Sequence, residues 1–351
     1  MTLITMSNIL QEDLDHILAH TEGLWEEFRG QRIFMTGGTG FFGGWLLESL
    51  LTANDAFLLN VEVTVLTRHP DVFAEKSPHL AFHPAIRLHR GDVRDFIFPD
   101  GCFSHVLHAA TDASAKMNAE TPLLMLDTIV EGTRRVLDFA VQSGAKKVLY
   151  TSSGAVYGRQ PPQLLHIPED YQGAPDPLDP GSAYGEGKRA AELLCALYAK
   201  QFGLESKIAR CFAFVGPGMP MGAHFAIGNF IQDALNGETI KVKGDGTPLR
   251  SYLYAADLAI WLWTILLRGN AGTAYNVGSG RAFSIGEIAA IVADCAQAGP
   301  VMIQSKANLK SPSERYIPDV TRAKVDLGLT VRVDLEEAIR RTLQHHVSSR
   351  Q

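Results

Sequence analysis

A glycine-rich turn constrains the fold of this chain more than any other feature of its sequence. The turn reads TGGTGFFG over residues 36–43 and joins a short apolar strand to a helical pattern. In such a turn the first glycine allows a tight bend, the second lets the backbone approach a pyrophosphate, and the third lets the helix pack closely on the strand. The N–H groups that open such a helix attract phosphate oxygens. The spacing predicts a βαβ unit whose dinucleotide-binding residues are Gly37, Thr39, Gly40, Phe41, Phe42 and Gly43.

Strand patterns and helical patterns alternate from this turn to about residue 212. Such alternation predicts an α/β fold of the Rossmann type, in which a doubly wound parallel sheet is covered by helices on both faces. The predicted strands lie at residues 32–36, 61–66, 86–89, 105–110, 147–152 and 205–210. The predicted helices include residues 125–143 and 183–202.

The chain divides by pattern into three parts. Residues 1–30 are predicted to form an N-terminal helical extension, with one amphipathic helix over 9–30 that packs outside the main fold. Residues 31–212 form the dinucleotide-binding domain, to which a segment near 242–280 returns. Residues 213–345 form mostly a smaller C-terminal α/β substrate domain. Six prolines fall within 161–180, which predicts a long irregular loop of the kind that borders a site.

Composition excludes several classes of protein. The 351 residues are 46% hydrophobic and carry a formal net charge of −6, which argues against disorder and against binding to nucleic acid. The longest apolar stretch, 255–267, contains an aspartate and is too short to span a membrane. The N-terminus lacks the pattern of a signal peptide, and the four cysteines are far apart, so we predict a soluble cytoplasmic protein without a metal site or disulfides.

The end of the second strand bears on which nicotinamide cofactor binds. It reads Leu66-Thr67-Arg68, without the acid that would hold the ribose hydroxyl of NAD(H). Arginine pairs well with phosphate, so this end mildly favours NADP(H) over NAD(H). Asp92 and Val93 follow the third strand, where Asp92 either hydrogen-bonds the adenine or caps a helix.

A tyrosine and a lysine four residues apart form the candidate catalytic pair. Tyr184 and Lys188 would share one face of a helix. A phenol titrates near pH 10, so it becomes a useful acid–base at neutral pH only when a cation lowers its pKa, and Lys188 is placed to do so. The segment TSSGAVYG over 151–158 ends a buried strand with exposed hydroxyl groups, which could hold the oxygen of a substrate.

The glycine turn, the hydroxyl segment and the Tyr-x-x-x-Lys pair occur in the order typical of the extended short-chain dehydrogenase/reductases. From about residue 31 to the C-terminal region the chain resembles their nucleotide-sugar epimerase/dehydratase family. The run FAIGNFIQDALNGETIKVK over 225–243 and the segment RYIPD over 315–319 carry the resemblance into the second half. The resemblance implies a nucleotide-diphosphate sugar as substrate and a homodimer paired through helices 125–143 and 183–202.

The resemblance also implies a role for individual residues. Ser153 would position the substrate, Tyr184 would be the general acid–base, and Lys188 would modulate its pKa and bind the nicotinamide ribose. The remaining cofactor-binding residues implied are His108, Ala109, Ala110, Cys211 and Phe212. The substrate-binding residues implied are Thr111, Ser153, Asn229, Arg250 and Arg315, with the two arginines on the diphosphate.

Two small residues after Ser153 bear on the reaction. The family's 4,6-dehydratases carry an Asp-Glu pair there and its decarboxylases keep the Glu, whereas this chain has Gly154 and Ala155, which cannot move a proton. The sequence therefore favours redox at C4 of the sugar, as a 4-epimerase or a 4-ketoreductase. A 4,6-dehydratase or decarboxylase with atypical acid–base residues is one alternative, and a reductase of a non-sugar carbonyl compound is another.

Overall fold

Seven strands of the described chain form one parallel sheet. The computed structural model describes residues 11–110, 115–222, 225–305 and 313–348. The strand order in the large sheet is β11-β6-β5-β4-β1-β2-β3, and every pair is parallel. Its strands are β1 (Arg32–Thr36), β2 (Glu62–Thr67), β3 (Ile86–Arg90), β4 (His105–His108), β5 (Lys147–Ser153), β6 (Glu205–Cys211) and β11 (Ala274–Val277). The doubly wound parallel sheet predicted from the sequence is thereby confirmed.

The strand order reverses between β1 and β4, which flank each other in the middle of the sheet. In doubly wound sheets the crevice at this reversal, outside the carboxyl ends of the strands, is where ligands bind. The glycine turn follows β1, and the Ser153 hydroxyl stands at the end of β5. The topology therefore brings both predicted motifs to one edge of the sheet.

Helices cover both faces of the sheet. They are α1 (Gln11–His20), α2 (Phe41–Phe57), α3 (Pro70–Lys76), α4 (Pro78–Ala81), α5 (Ala115–Glu120), α6 (Pro122–Gln142), α7 (Ala183–Phe202), α8 (Ala226–Leu235), α9 (Ala255–Arg268), α10 (Ile285–Ala296), α11 (Thr321–Leu327) and α12 (Leu335–Ser348). Side chains of β1 alternate between two cores, with Ile33 and Met35 packed among α2 and α9 and Phe34 among α6 and α7. No helix in the described ranges is both long and apolar enough to cross a bilayer.

Short strands after residue 212 form three smaller sheets in the described chain. β7 (Phe214–Val215) pairs with β10 (Leu253–Tyr254), and β8 (Lys241–Val242) pairs with β13 (Met302–Ile303). β9 (Leu249–Arg250) lies between β12 (Phe283–Ser284) and β14 (Arg315–Tyr316). This last sheet, which we call the β9 sheet, brings residues from three distant segments beside the carboxyl end of β5.

The N-terminal segment differs from its prediction. The single helix predicted over 9–30 is divided into α1 and a separate 3-10 turn at Trp25–Phe28, because Gly23 adopts a positive φ of 77° between them. The segment is also part of the main core rather than outside it. Trp25 and Phe28 are buried, and their rings lie 5.5 Å and 5.3 Å from that of Trp263 on α9.

Candidate active site

The glycine turn is built so tightly that side chains would not fit at two of its positions. A Cβ on Gly37, whose φ is +72°, would lie 2.3 Å from the carbonyl oxygen of Ala109. A Cβ on Gly43 would lie 2.2 Å from the carbonyl oxygen of Gly37. Gly40 stands before α2 without a side chain to cap it, so the first-turn N–H groups of Phe41, Phe42 and Gly43 are left for phosphate oxygens. This cradle fits a dinucleotide pyrophosphate.

The ends of β2 and β3 supply the residues predicted to select the cofactor. Arg68 is exposed directly after β2, and its positive charge contributes to lowering the pKa of Asp92. Asp92 is already engaged, because its carboxylate accepts hydrogen bonds from the Nε and the N–H of Arg94 at 2.8 and 3.0 Å. Those bonds, chiefly the one from the Arg94 side chain, hold the pKa of Asp92 below its usual value. Val93 is buried against Gly132 of α6.

The side chain of His108 joins the sheet to α6. It is buried, with Nδ1 at 2.7 Å from the Thr36 hydroxyl and Nε2 at 3.0 Å from the Thr133 hydroxyl. Burial, aided by the charge of Lys188, lowers the pKa of His108 to about 3, so its ring is neutral. The imidazole is therefore enclosed, and a contact of His108 with a cofactor can involve only its backbone. Ala110 donates its N–H to the Thr36 hydroxyl at 3.2 Å, which holds this segment beside the glycine turn.

The three predicted catalytic residues lie together at the carboxyl end of β5. Ser153 ends that strand, and its hydroxyl lies near enough to the phenol of Tyr184 on α7 to lower the pKa of that phenol. The Nζ of Lys188, one turn further along α7, lies 5.8 Å from the centre of the Tyr184 ring. Burial raises the pKa of Tyr184 to about 12, against the effect of the nearby Ser153 hydroxyl, and lowers the pKa of Lys188 to about 8. A hydroxyl, a phenol and a cation grouped in this way can move a proton to and from a substrate oxygen.

Three hydrogen bonds that the sequence pattern did not indicate hold this helix in place. The side chain of Asn118 on α5 accepts the N–H of Tyr184 at 3.0 Å and donates to the carbonyl of Gly181 at 2.7 Å. The Nζ of Lys188 donates to the carbonyl of Thr151 at 2.7 Å. Asn118 is 66 residues from Tyr184, so local patterns carry no signal of this contact.

A second tyrosine, which the sequence analysis did not identify, lies against the same serine. The phenol of Tyr316 on β14 lies near the Ser153 hydroxyl, which lowers its pKa, and its ring lies 4.7 Å from that of Phe212. Phe212 was predicted as a cofactor neighbour together with Cys211, which is buried on β6. Burial raises the pKa of the Cys211 thiol to about 12, so it is uncharged at neutral pH.

The predicted substrate-binding residues differ in their positions. Arg250 is paired in register with Tyr316 and its charge acts on that phenol, while its Nη2 lies 2.7 Å from Oε1 of Glu314. Arg315 lies next to Tyr316 on the same strand, and alternation places it on the opposite face of the β9 sheet. Asn229 is half-buried on α8, and its role stays a prediction. Thr111 lies outside the described residues.

These features together define a class of protein. A glycine cradle at the first turn of a Rossmann sheet, with a Ser-Tyr-Lys group at the end of β5, is the arrangement of a nicotinamide-dependent oxidoreductase of the short-chain type. Among the described residues, no group of three or more histidine, cysteine, aspartate or glutamate side chains is placed to hold a metal ion.

Comparison with known proteins narrows this class to a family. Residues 33–278, more than half of the chain, match the NAD dependent epimerase/dehydratase family. UDP-glucuronic acid decarboxylase 1 of Xenopus tropicalis is 32% identical over 316 residues, which are 90% of this chain and 72% of that protein. The chain therefore belongs to the NAD-dependent epimerase/dehydratase family of nucleotide-sugar enzymes.

Solved structures agree with this assignment. DesIV, the dTDP-glucose 4,6-dehydratase of Streptomyces venezuelae with NAD and TYD bound, has the same fold, with a TM-score of 0.78 and 24% identity over 91% of this chain and 98% of that one. The UDP-glucose 4-epimerase of Thermus thermophilus in complex with NAD has a TM-score of 0.74 and 26% identity over 91% and 99%.

The comparisons also decide between expectations from the sequence. The predicted family and a nicotinamide cofactor are confirmed, and the family description names NAD. The comparisons give no support to the mild preference for NADP(H) that was inferred from Arg68. The prediction of a 4-epimerase or 4-ketoreductase is confirmed only as far as the family, because the relative in Xenopus is a decarboxylase. That finding favours the dehydratase or decarboxylase alternative.

Proposed function

We propose that this protein uses NAD to oxidise C4 of a nucleotide-diphosphate hexuronic acid, and that the oxidised sugar then loses its carboxylate as CO₂. The observation that carries the proposal is the grouping of Ser153 with Tyr184 at the carboxyl end of β5, with Lys188 one helical turn away and the glycine cradle on the neighbouring part of the same sheet edge. The 32% identity to a UDP-glucuronic acid decarboxylase supports the choice of substrate.

The protein's own residues divide the first step between them. Ser153 donates a hydrogen bond to the oxygen on C4, and Tyr184 accepts the proton of that hydroxyl group as a phenolate. The charge of Lys188 favours this phenolate. The first turn of α2 and the turn at Gly37 would hold NAD, whose chemistry when bound would be to accept a hydride from C4 and to return it.

The residues after Ser153 are compatible with loss of CO₂. Once C4 is a ketone, the carboxylate at C6 belongs to a β-keto acid, and the electrons of the breaking C5–C6 bond pass to the C4 oxygen. No base has to remove a proton from C5, and the enolate that remains after CO₂ leaves takes up a proton at C5 from solvent to complete the CH₂ group of the product. A 4,6-dehydration does need a base at C5 and an acid at C6, and the side chains of Gly154 and Ala155 cannot provide either. Decarboxylation therefore fits these two residues better than dehydration does.

A 4-epimerase is the second candidate. Gly154 and Ala155 also suit a reaction that needs no proton transfer beyond the C4 hydroxyl, and the epimerase of Thermus thermophilus is 26% identical in sequence. In that reaction the hydride returns to the opposite face of the ketone, so the sugar must turn over between the two transfers.

The test is to incubate the purified protein, in the presence of NAD, with UDP-glucuronic acid, with UDP-glucose and with dTDP-glucose in three separate reactions. We expect release of CO₂ and a UDP-pentose from the first. Tyr184→Phe should reduce this turnover by at least about 100-fold while NAD still binds. Conversion of UDP-glucose to its C4 epimer, without CO₂ from UDP-glucuronic acid, would establish the second candidate instead. An active Tyr184→Phe variant would contradict both.

A further inference from the structure

An ion pair that the proposed mechanism does not use lies on the same side of α7 as the catalytic residues. Tyr184, Lys188 and Glu192 follow one another at intervals of four residues along this helix, so each side chain stands one turn from the next. Glu192 is paired with Arg210 of β6, whose Nη2 lies 2.7 Å from its Oε2. The side chain of Arg210 is 16% exposed and that of Glu192 is 12% exposed, so the pair is largely withdrawn from solvent.

The guanidinium group of Arg210 joins its own strand to three other segments. Its Nε and Nη2 donate to the two carboxylate oxygens of Glu192 on α7, at 3.0 Å and 2.7 Å. Its Nη1 donates to the hydroxyl of Tyr157, just after β5, at 2.9 Å and to the backbone carbonyl of Glu169 at 3.0 Å. The Tyr157 hydroxyl donates in turn to Oδ1 of Asn276 on β11, at 2.7 Å. A planar fork of several N–H groups can make all of these bonds at once, whereas an ammonium group cannot.

Glu192 also ties α7 to the strand that ends in Ser153. The buried hydroxyl of Ser152 donates to Oε1 of Glu192 at 2.5 Å. One turn earlier on the helix, the Nζ of Lys188 donates to the carbonyl of Thr151 at 2.7 Å. The helix is therefore fastened to the two residues that precede Ser153, and its position along β5 determines where the catalytic phenol stands.

The proline-rich loop, residues 161–180, is bound to the same network. The side-chain amide of Asn276 donates to the carbonyl of Ile167 at 2.8 Å, and the backbone N–H of Asn276 donates to Oε1 of Glu169 at 2.9 Å. The carbonyl of Glu169 is the one that Arg210 holds. Since this loop runs almost directly into α7, a displaced loop would also displace the first turn of that helix.

A buried ion pair adds little net stability, because the cost of removing two charges from water offsets most of their attraction. Its better supported use is to select one arrangement of the segments that it joins. We propose that Arg210 is a positioning residue of this site, which together with Glu192 holds Tyr184 and Lys188 in register with Ser153. The inference rests on the proposed function for its effect on turnover, whereas its effect on the loop and the helix can be measured without turnover.

The experiment compares Arg210→Met and Arg210→Lys with the wild type. The first measurement is hydrogen–deuterium exchange of the backbone amides, followed by mass spectrometry of the peptides that cover the proline-rich loop and the first turns of α7. We expect exchange there to be at least about 10-fold faster in Arg210→Met. Glu192→Gln, which removes one charge of the pair and keeps the size of the side chain, provides the same comparison if Arg210→Met does not fold.

The second measurement is steady-state kinetics at a temperature where all variants are folded. We expect kcat of Arg210→Met to fall by about 10- to 100-fold, because a catalytic group misplaced by about 1 Å can lose that much. KM should stay within about 3-fold of the wild type, since the proposal gives Arg210 no contact with the substrate. Arg210→Lys keeps the charge without the fork, so it should be impaired to a similar extent.

Arg32→Met is the matched control. The guanidinium of Arg32 also pairs with a carboxylate on a neighbouring strand, Oε1 of Glu62 at 2.9 Å, but at the amino ends of β1 and β2, away from Ser153. This variant should keep the wild-type exchange of the loop and the wild-type kcat.

Unchanged exchange or unchanged kcat in Arg210→Met would overturn the inference, and so would an equal loss of kcat in Arg32→Met. Full recovery in Arg210→Lys would also overturn it, because charge alone would then be sufficient. Faster exchange in Arg210→Met, with a wild-type protein that converts no nucleotide sugar, would uphold the positioning of the loop and the helix and reject the proposed function.

Discussion

Burial shifts the pKa values of Tyr184 and Lys188 in opposite directions, in each case against the charged form of the side chain. It raises the pKa of the Tyr184 phenol to about 12 and lowers that of the Lys188 ammonium to about 8. At neutral pH Lys188 still carries its charge, which is the charge that a phenolate at Tyr184 needs. The pair therefore works only while the lysine is protonated.

Removing that charge should stop catalysis without unfolding the protein. We expect Lys188→Met to lower kcat by at least about 100-fold, because Tyr184 would ionise even less readily. Lys200→Met is the control, since Lys200 is exposed on the same helix. Steady-state kinetics on the substrate identified for the wild type would check this, and equal losses in the two variants would contradict it.

Because of His108, the free energy of unfolding should depend on pH in the acidic range. Its pKa is lowered from 6.5 to about 3 in the folded protein, so between these values the unfolded chain binds a proton that the folded chain does not. The free energy of unfolding should therefore fall as the pH falls from 6.5 to 3.

The variant His108→Gln should flatten this dependence, whatever its effect at neutral pH. The measurement is the free energy of unfolding from urea denaturation at several pH values in that window. His166→Gln replaces an exposed histidine and should keep the slope of the wild type. A wild-type slope of the free energy of unfolding against pH in both variants would contradict the prediction.

Sequence reasoning found the site residues whose spacing is local and missed those brought in from a distance. Tyr184 and Lys188 are one turn apart on a helix, and Ser153 ends a strand, so pattern alone could place them. Asn118 reaches the site through a segment that no motif marks, whereas the RYIPD segment that contains Tyr316 was identified but its role was assigned to Arg315. Contacts of this kind depend on tertiary packing, which periodicity does not describe.

At the scale of elements, the strands and helices predicted for the Rossmann part are present, but α6 begins three residues before its predicted start and β4 ends two residues before its predicted end. The structure places β1 and α7 at the predicted bounds and shifts β2 by one residue. The N-terminal helix was predicted too long, since apolar residues continue in helical spacing past Gly23. Helix α1 already ends at His20, and the left-handed conformation of Gly23 separates it from the 3-10 turn, which a hydrophobic pattern does not reveal.

Two adjacent glycines at the start of α2, Gly43 and Gly44, allow a test of how tightly the cradle must be packed to bind NAD. A Cβ on Gly43 would lie 2.2 Å from a backbone oxygen, whereas a Cβ on Gly44 would meet no described atom within 4 Å. We expect Gly43→Ala to distort the cradle, to lower stability by about 1–3 kcal/mol and to weaken NAD binding. Gly44→Ala should bind NAD normally and gain up to about 1 kcal/mol, because alanine favours a helix interior. NAD titration and urea denaturation of both variants would decide, and an intact Gly43→Ala would be the contrary outcome.

At the scale of the whole molecule, polar contacts tie the N-terminal segment to distant parts of the chain. The buried carboxylate of Asp13 accepts the hydroxyl of Tyr254 and a guanidinium N–H of Arg341, each at 2.6 Å. Glu27 lies 2.5 Å from the Nζ of Lys147 at the start of β5 and 3.2 Å from Arg268. Because α1 and the 3-10 turn share these partners with the sheet, we expect the segment to unfold together with it.

Substitutions at two phenylalanines test whether the N-terminal segment unfolds together with the sheet or as an independent extension. Phe28 is fully buried against Trp263 and His105, whereas Phe82 is 76% exposed. We expect Phe28→Ala to lower the free energy of unfolding by about 3–5 kcal/mol within one cooperative transition. Phe82→Ala, the same change at an exposed site, should cost little. Urea denaturation followed by both circular dichroism and tryptophan fluorescence is the measurement. A Phe28→Ala variant whose sheet unfolds at the wild-type midpoint, after an earlier separate step, would mean that the segment folds independently and that its ties to β5 and α9 contribute little to the stability of the sheet.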